Sequence, residues 1–289
     1  MKIDRILISC NMEIQHFYFV KCFIEKYKDN FEIKVIFQSH LKKRGKVNNL
    51  INLLKKQSVD RLIKNIMLEN KYGKLLKAEQ TTTYNDFYGN IELDYFVRTI
   101  GEENIHITSN VNSNEIVDLV NQYAPDIFLL QGGKLLNNAF INALGDAYIL
   151  HLHLGNVPFY RGGNSQFWAI YNNAVNENGF TIQSVDLGID TGAIYIRRSV
   201  VNFDHKDGHH SMYCKTQLAG IEAIESLIDF YVNNGKLPSP ITVSEKGFNY
   251  TGKMVTESAN EYVFLNRERV MSRHLESDKQ PAFEDISVI

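Results

Sequence analysis

The stretch that most constrains the fold of this chain is residues 147–163. An apolar lead-in, Ala147, Tyr148, Ile149 and Leu150, runs into the sequence LHLHLGNVPFYRGG. Histidine and leucine alternate there, so a strand puts His151 and His153 on one face and Leu150 and Leu152 on the other. Glycines and Pro158 then open a loop. The pattern is a buried strand that delivers polar side chains at its C-terminal end. A second loop of this kind, VDLGIDTG at 185–192, lies between two β-branched runs, 180–185 and 193–200. Those runs read as a hairpin-like pair of strands.

The N-terminal third sets the fold class. Residues 6–10 are a short continuous apolar run, as in a parallel strand covered on both faces. Asn11 is placed to cap a helix whose apolar face is Ile14, Phe17, Tyr18, Val20, Cys22 and Phe23, ending near Lys28. Residues 31–37 form a second strand. Strand, helix, strand signals an α/β fold with a mostly parallel, Rossmann-like sheet. Further strands are expected at 104–108 and 126–130. A helix starting at Ser113 between them carries Ile116, Leu119, Val120 and Tyr123. Gly132 and Gly133 follow the strand at 126–130, either to let backbone approach a ligand or simply to turn the chain. A helix from Asn164 or Ser165 carries Phe167, Trp168, Ile170 and Tyr171, with Trp168 in the core or on a substrate wall. A long amphipathic helix covers 211–231.

Residues 41–100 read as a helical insertion. Leu50, Ile51, Leu53, Leu54, Leu62, Ile63, Ile66 and Met67 recur at helical spacing. Lys42, Lys43, Arg44, Lys46, Lys55 and Lys56 form a basic patch, either a solvated helical face or a phosphate-binding surface. Pro238 and Pro240 mark a linker. The organisation expected is a core at 1–237 and a small C-terminal subdomain at 238–289, the latter a candidate contact for a homodimer.

Composition narrows the class of partner. The 289 residues are 44% hydrophobic and 22% charged with a net charge of −2, an ordinary soluble balance without the electrostatics of a nucleic-acid binder. Cys10, Cys22 and Cys214 are odd in number, far apart and without metal-ligand spacing, so reduced thiols and a cytoplasmic location are expected. No apolar run approaches the ~20 residues of a membrane-spanning helix, so no membrane partner is expected.

A histidine and an aspartate at two strand-to-loop junctions can form an acid–base unit, since an imidazole of pKa ~6.5 passes a proton near neutrality and a carboxylate fixes its tautomer. GxSxG is absent, which favours attack by the substrate or by water over a covalent enzyme intermediate. A metal is the other use of such residues, at His151, His153 and Asp190 or at Asp204, His205, Asp207, His209 and His210. The second group precedes a helix, where Asp and His commonly cap or face solvent, and no metal is expected at either place.

HLHLGNVPFYRGG followed by GFTIQSVDLGIDTGAIYI resembles the signature of the 10-formyltetrahydrofolate-dependent formyltransferases, most closely the sugar N-formyltransferases. Pro158, Tyr160, Arg161, Gly162, Phe180, Thr181, Asp186, Gly188, Asp190, Thr191 and Gly192 all fit its two linked motifs. The resemblance covers residues 1–200 and is densest over 126–200. It implies a Rossmann-like core, transfer of a formyl group from 10-formyltetrahydrofolate as co-substrate, and an amine acceptor. It implies catalytic roles for His153 and Asp190, a folate site along Gly133, Leu135, Leu136, Val185, Asp186 and Gly188, and an amine approaching from Cys10, Asn11 and Met12. Tyr160, Arg161 and Trp168 are the further substrate contacts expected. The tail is short and mixed in charge, unlike the basic C-terminal domain of a methionyl-tRNA enzyme. The loop Ser9-Cys10-Asn11-Met12 lacks the Gly-rich phosphate cradle of a glycinamide ribonucleotide enzyme. The acceptor expected is therefore an amino sugar carried on a nucleotide.

One position departs from the pattern. The family has Asn two residues before its catalytic histidine, as donor to the formyl oxygen, and this chain has His151. Imidazole also donates from one ring nitrogen, but with a different reach. Losing one oxyanion donor costs ~100- to 1000-fold in rate. Three readings follow: formyl transfer with His151 as the replacement donor; another acyl or one-carbon transfer, or hydrolysis of formyl-folate; and a non-catalytic binder of folate or a sugar nucleotide.

Overall fold

The structure is a computed structural model that describes residues 4–39, 69–243, 247–277 and 280–289. The basic patch and the apolar positions from Leu50 to Met67 lie outside those residues.

Strand β1 (Arg5–Asn11) is buried along Ile6 to Cys10. Ile6, Ile8 and Cys10 pack on one face against helix α1 (Ile14–Tyr27), while Leu7 packs on the other face. Burial on both faces is the reason the run is continuously apolar rather than alternating. Asn11 is still part of the strand, paired with Gln38, and the N-cap position of helix α1 is Glu13, whose side chain makes no cap hydrogen bond. The strands β2 (Glu32–Gln38), β3 (Ile105–Thr108), β4 (Ile127–Gln131) and β5 (Tyr148–His153) continue in parallel. They are followed by β7 (Gly179–Gln183), β8 (Ile194–Ser199) and β10 (Ile286–Ser287), each antiparallel to its neighbour. The sheet order is β10-β8-β7-β5-β4-β1-β2-β3. The order reverses direction between β1 and β4, and the crevice beyond their C-terminal ends is where open α/β sheets bind ligands.

Helices cover both faces. On one lie α1, α3 (Leu93–Ile100) and α7 (His209–Asn234), with Phe19, Phe23, Phe96, Ile224 and Leu227 packed on the sheet. On the other lie α4 (Asn114–Tyr123) and α5 (Asn138–Ala143), through Ile116, Val120 and Phe140. Helix α2 (Lys74–Tyr88) lies over α1 and α7 and brings Tyr84 and Tyr88 against Cys214.

A second core forms where α6 (Ser165–Tyr171) meets α8 (Glu257–Glu276). Phe167, Trp168, Val263, Val270 and Met271 fill it. Beside it β6 (Tyr160–Gly162) pairs with β9 (Phe248–Tyr250) in a separate two-stranded sheet. The chain after Pro240 thus returns to both sheets: Ile241 bridges to Ile194, β9 braces the loop after β5, and β10 extends the main sheet. Arg197 of β8 joins these regions. Its Nη1 donates to the Val157 carbonyl at 2.9 Å and its Nη2 to the Glu284 carbonyl at 3.0 Å. Replacing Arg197 by Ala leaves the buried Val157 carbonyl without this donor and is expected to cost about 2–3 kcal/mol. Urea unfolding of the variant measures it, and an unchanged midpoint would show the tether to be energetically idle.

Candidate functional site

The alternation in β5 sends Leu150 and Leu152 into the core and turns His151 and His153 towards a cleft of about 760 Å³ at the C-terminal edge of the sheet. Because β7 runs antiparallel beside β5, Gln183 lies opposite His151 and Thr181 opposite His153. Thr181, fully buried, donates its hydroxyl to the Gly155 carbonyl at 2.7 Å and accepts from the Val157 amide at 3.0 Å. Those two bonds pin the loop that leads to Tyr160.

Asp190 meets this loop from the other side. The turn before it closes on Asp186, whose Oδ1 accepts from the Gly188 amide at 2.9 Å and from the Thr191 hydroxyl at 2.5 Å. Asp190 itself has φ of +50°, a left-handed conformation that Asp and Asn tolerate better than most residues. In this position its Oδ2 accepts from the Gly162 amide at 2.7 Å and its Oδ1 from Gln183 Nε2 at 3.1 Å. Both histidines point Nδ1 at the same carboxylate: His151 lies 3.7 Å from Oδ1 and His153 lies 3.5 Å from Oδ2. The other nitrogen of His153 donates to the Tyr160 carbonyl at 2.6 Å. Gly155 makes room for that bond, since a Cβ there would stand 2.6 Å from His153 Nε2.

The electrostatics follow from burial. It pushes the His151 ring down to about 4, against the pull of Asp190, and His153 adds to the depression. Burial pushes the Asp190 carboxyl up, but His153, His151, the Gly162 amide and Arg161 outweigh it and hold it below the usual carboxylate range. The floor of the cleft is thus an ionised carboxylate shared by two imidazoles, a group able to orient and move a proton.

The other expected residues divide. Gly133, Leu135, Leu136, Val185, Asp186 and Gly188 all line the cleft, and so does Asn11. Cys10 and Met12 do not. Cys10 is fully buried in the core, where burial raises its thiol pKa far above the usual range, and Met12 packs on that core. Tyr160 and Trp168 stack on Tyr250 in the second core, with centroids 5.4 and 5.0 Å away, and the Tyr160 hydroxyl is held by Glu177 at 2.6 Å. Their bulk is used for packing, so neither reaches the cleft. Arg161 is also off its wall and acts through its charge on Asp190.

Several wall residues have no counterpart in the sequence motifs. Glu13 and His16 enter from the start of α1, and Lys77, Gln80 and Tyr84 from α2. His209 and His210 enter from the first turn of α7 with Tyr213 behind them, their rings 3.7 Å apart. The histidine-rich composition before α7 was the one available signal for the latter. Their neighbours in that cluster do other work, as Asp207 pairs with Lys215 at 2.6 Å. Among the described residues no group of three or more His, Cys, Asp or Glu side chains is arranged to hold a metal, and no helix is long and apolar enough to cross a membrane.

The buried histidines make a pH prediction. Burial holds His210 down to about 4 as well, and holds His209 well below an ordinary histidine. The unfolded chain, with histidine near ~6.5, binds more protons than the folded one between about 4 and 6.5. Unfolding free energy therefore rises with pH across that window and is lost as pH falls through it. Urea midpoints at pH 7, 6 and 5 are expected to decrease in that order, less steeply in His210→Gln. A midpoint independent of pH would contradict the neutral burial of these rings.

The chain matches the formyl transferase family model over residues 48–228. Among curated relatives, a methionyl-tRNA formyltransferase from Finegoldia magna is 27% identical over 123 residues, 42% of this chain and 39% of that protein. A GDP-perosamine N-formyltransferase from Brucella melitensis is 26% identical over 121 residues, 42% of this chain and 46% of that protein. The chain thus spans less than half the length of either relative. Among solved structures, the N-formyltransferase from Helicobacter canadensis in complex with folinic acid and dTDP-3-aminofucose is similar with a TM-score of 0.56 and 14% identity. That similarity covers 92% of this chain and 82% of the other, and is one of fold. With the family match extending over more than half of its length, this chain belongs to the formyl transferase family.

Proposed function

We propose that this protein transfers a formyl group from 10-formyltetrahydrofolate to an amine of a small substrate, and that the acceptor is a nucleotide-linked amino sugar. The observation that carries this reading is the convergence of His151 and His153 on Asp190 at the floor of the cleft. Formyl transfer to an amine needs a group that takes a proton as the nitrogen attacks and returns one to the leaving nitrogen, and a buried His–Asp unit supplies it. No covalent enzyme intermediate is required.

The remaining walls suit the two substrates. Leu135, 61% exposed on the cleft wall, offers apolar surface to a flat pterin ring. Glycines at 133 and 188 leave backbone groups accessible for its hydrogen-bonding edge. On the opposite side, Lys77 is available to phosphate, while Tyr84, Gln80 and His210 present the aromatic and neutral polar contacts that a sugar ring accepts. Support for the amino-sugar acceptor comes from relatives: one curated relative is a GDP-perosamine N-formyltransferase, and one structure of similar fold holds folinic acid with dTDP-3-aminofucose.

Incubation with 10-formyltetrahydrofolate and a panel of nucleotide-linked amino sugars is expected to release tetrahydrofolate only when an amine is present. Release without any amine would instead establish a formyl-folate hydrolase. Folate binding without turnover would establish a binding protein. Asp190→Asn, which keeps the left-handed backbone acceptable, is expected to lower kcat ~100-fold or more with folate affinity retained by calorimetry.

A further inference from the structure

We propose that His151, rather than His153, is the ring that takes the proton from the attacking amine, that Asp190 orients it, and that His153 is a positioning residue. This assignment rests on the formyl-transfer reading above.

The geometry distinguishes the two histidines. His153 is buried, with a side chain 7% exposed, and both of its nitrogens face protein acceptors. Nε2 is spent on the Tyr160 carbonyl at 2.6 Å and Nδ1 faces Asp190 Oδ2. With Gly155 closed over Nε2, the ring has no nitrogen left for a substrate. His151 lines the cleft with a side chain 17% exposed, and among the described residues nothing hydrogen-bonds to its ring. Only Nδ1 faces a protein partner, Asp190 Oδ1 at 3.7 Å, and such contacts are often long before substrate binds.

The carboxylate then decides the tautomer. A neutral imidazole carries one N–H and one lone pair. A carboxylate beside Nδ1 favours the hydrogen there and leaves the lone pair of Nε2 for the cleft. The amide of an Asn at this position would donate to a formyl oxygen, whereas His151 in this tautomer accepts. The charged and titratable groups that act on the ring are Asp190 and His153. Its strand neighbours are uncharged, Gln183 on β7 and Leu130 on β4. Arg161 lies beyond and acts on Asp190. Burial keeps the ring neutral at pH 7 and ready to accept.

The step balances as follows. The amine nitrogen uses its lone pair to form a C–N bond to the formyl carbon, and the carbonyl π pair moves to oxygen. The N–H proton of the former amine passes to His151 Nε2, and Asp190 stabilises the imidazolium. As the oxygen pair re-forms the carbonyl, the bond from the formyl carbon to N10 of the folate breaks. N10 keeps that electron pair and takes the proton from His151, giving tetrahydrofolate and the formamide.

Two experiments decide it. In ¹⁵N-histidine NMR at pH 7, assigned with His151→Asn, the His151 ring is expected to carry its proton on Nδ1 and none on Nε2. A proton on Nε2 would overturn the assignment whether or not turnover is found. In steady-state kinetics, His151→Asn, which installs the family's amide, is expected to lose ~100-fold or more in kcat with little change in KM for formyl-folate. His153→Gln, which keeps a donor for the Tyr160 carbonyl, is expected to lose less than roughly tenfold, a smaller effect than removal of a general base. The acidic limb of kcat/KM against pH should persist in His153→Gln and vanish in His151→Asn. Full activity in His151→Asn, or loss of that limb in His153→Gln instead, would return the proton to His153. Failure of the wild-type protein to use any amine would sink the formyl-transfer reading and leave the NMR result standing.

Discussion

The carboxylate of Asp190 is the contact on which the site depends. It is a charge held in a largely buried place, and such a charge persists only where donors surround it. Here the donors are the Gly162 amide and the Gln183 side chain, with two imidazoles beside them. Each donor comes from a different part of the chain: the loop after β5, strand β7, and β5 itself. One side chain thereby ties the two signature loops together, and the left-handed backbone at 190 is what turns it inwards.

The sheet explains why those parts meet. Strands β1 to β5 run parallel, as a βαβ fold requires, but β7 enters antiparallel beside β5. That reversal sets Gln183 against His151 and Thr181 against His153 in adjacent registers. It also lets Thr181 bond the loop at 155–157, so that the carbonyl of Tyr160 arrives at His153. Farther out, Arg197 of β8 ties the same loop to the returning C-terminal segment, and Tyr250 of β9 stacks on Tyr160. Residues distant in sequence therefore support a single imidazole.

Much of this was legible in the residues. Continuous apolar runs marked the parallel strands, because burial on both faces leaves no polar alternation. The alternating histidines marked one face of β5, and the DxGxDTG turn marked Asp190. Other side chains lie away from the cleft for physical reasons. Tyr160 sits in a motif and Trp168 reads as core or substrate wall, but large aromatic side chains are worth more when packed, and Tyr250 arrives from far along the chain to receive both. Cys10 and Met12 follow the strand into the core, leaving Asn11 alone of the three at the cleft. His209, His210 and Tyr84 reach the cleft from helices whose placement no local pattern encodes.

By itself, then, the sequence determined the α/β class and the strands and turns around 147–163 and 180–200, and it brought His151, His153 and Asp190 forward as candidates, because periodicity and turn chemistry are local properties. Only the tertiary structure decided which histidine nitrogens are taken up by protein partners. That depends on where Asp190, Gln183 and the Tyr160 carbonyl come to rest, and these are contacts between segments the chain brings together only when the sheet closes. Two histidines equivalent in pattern become unequal because one has a carbonyl waiting for it and the other does not.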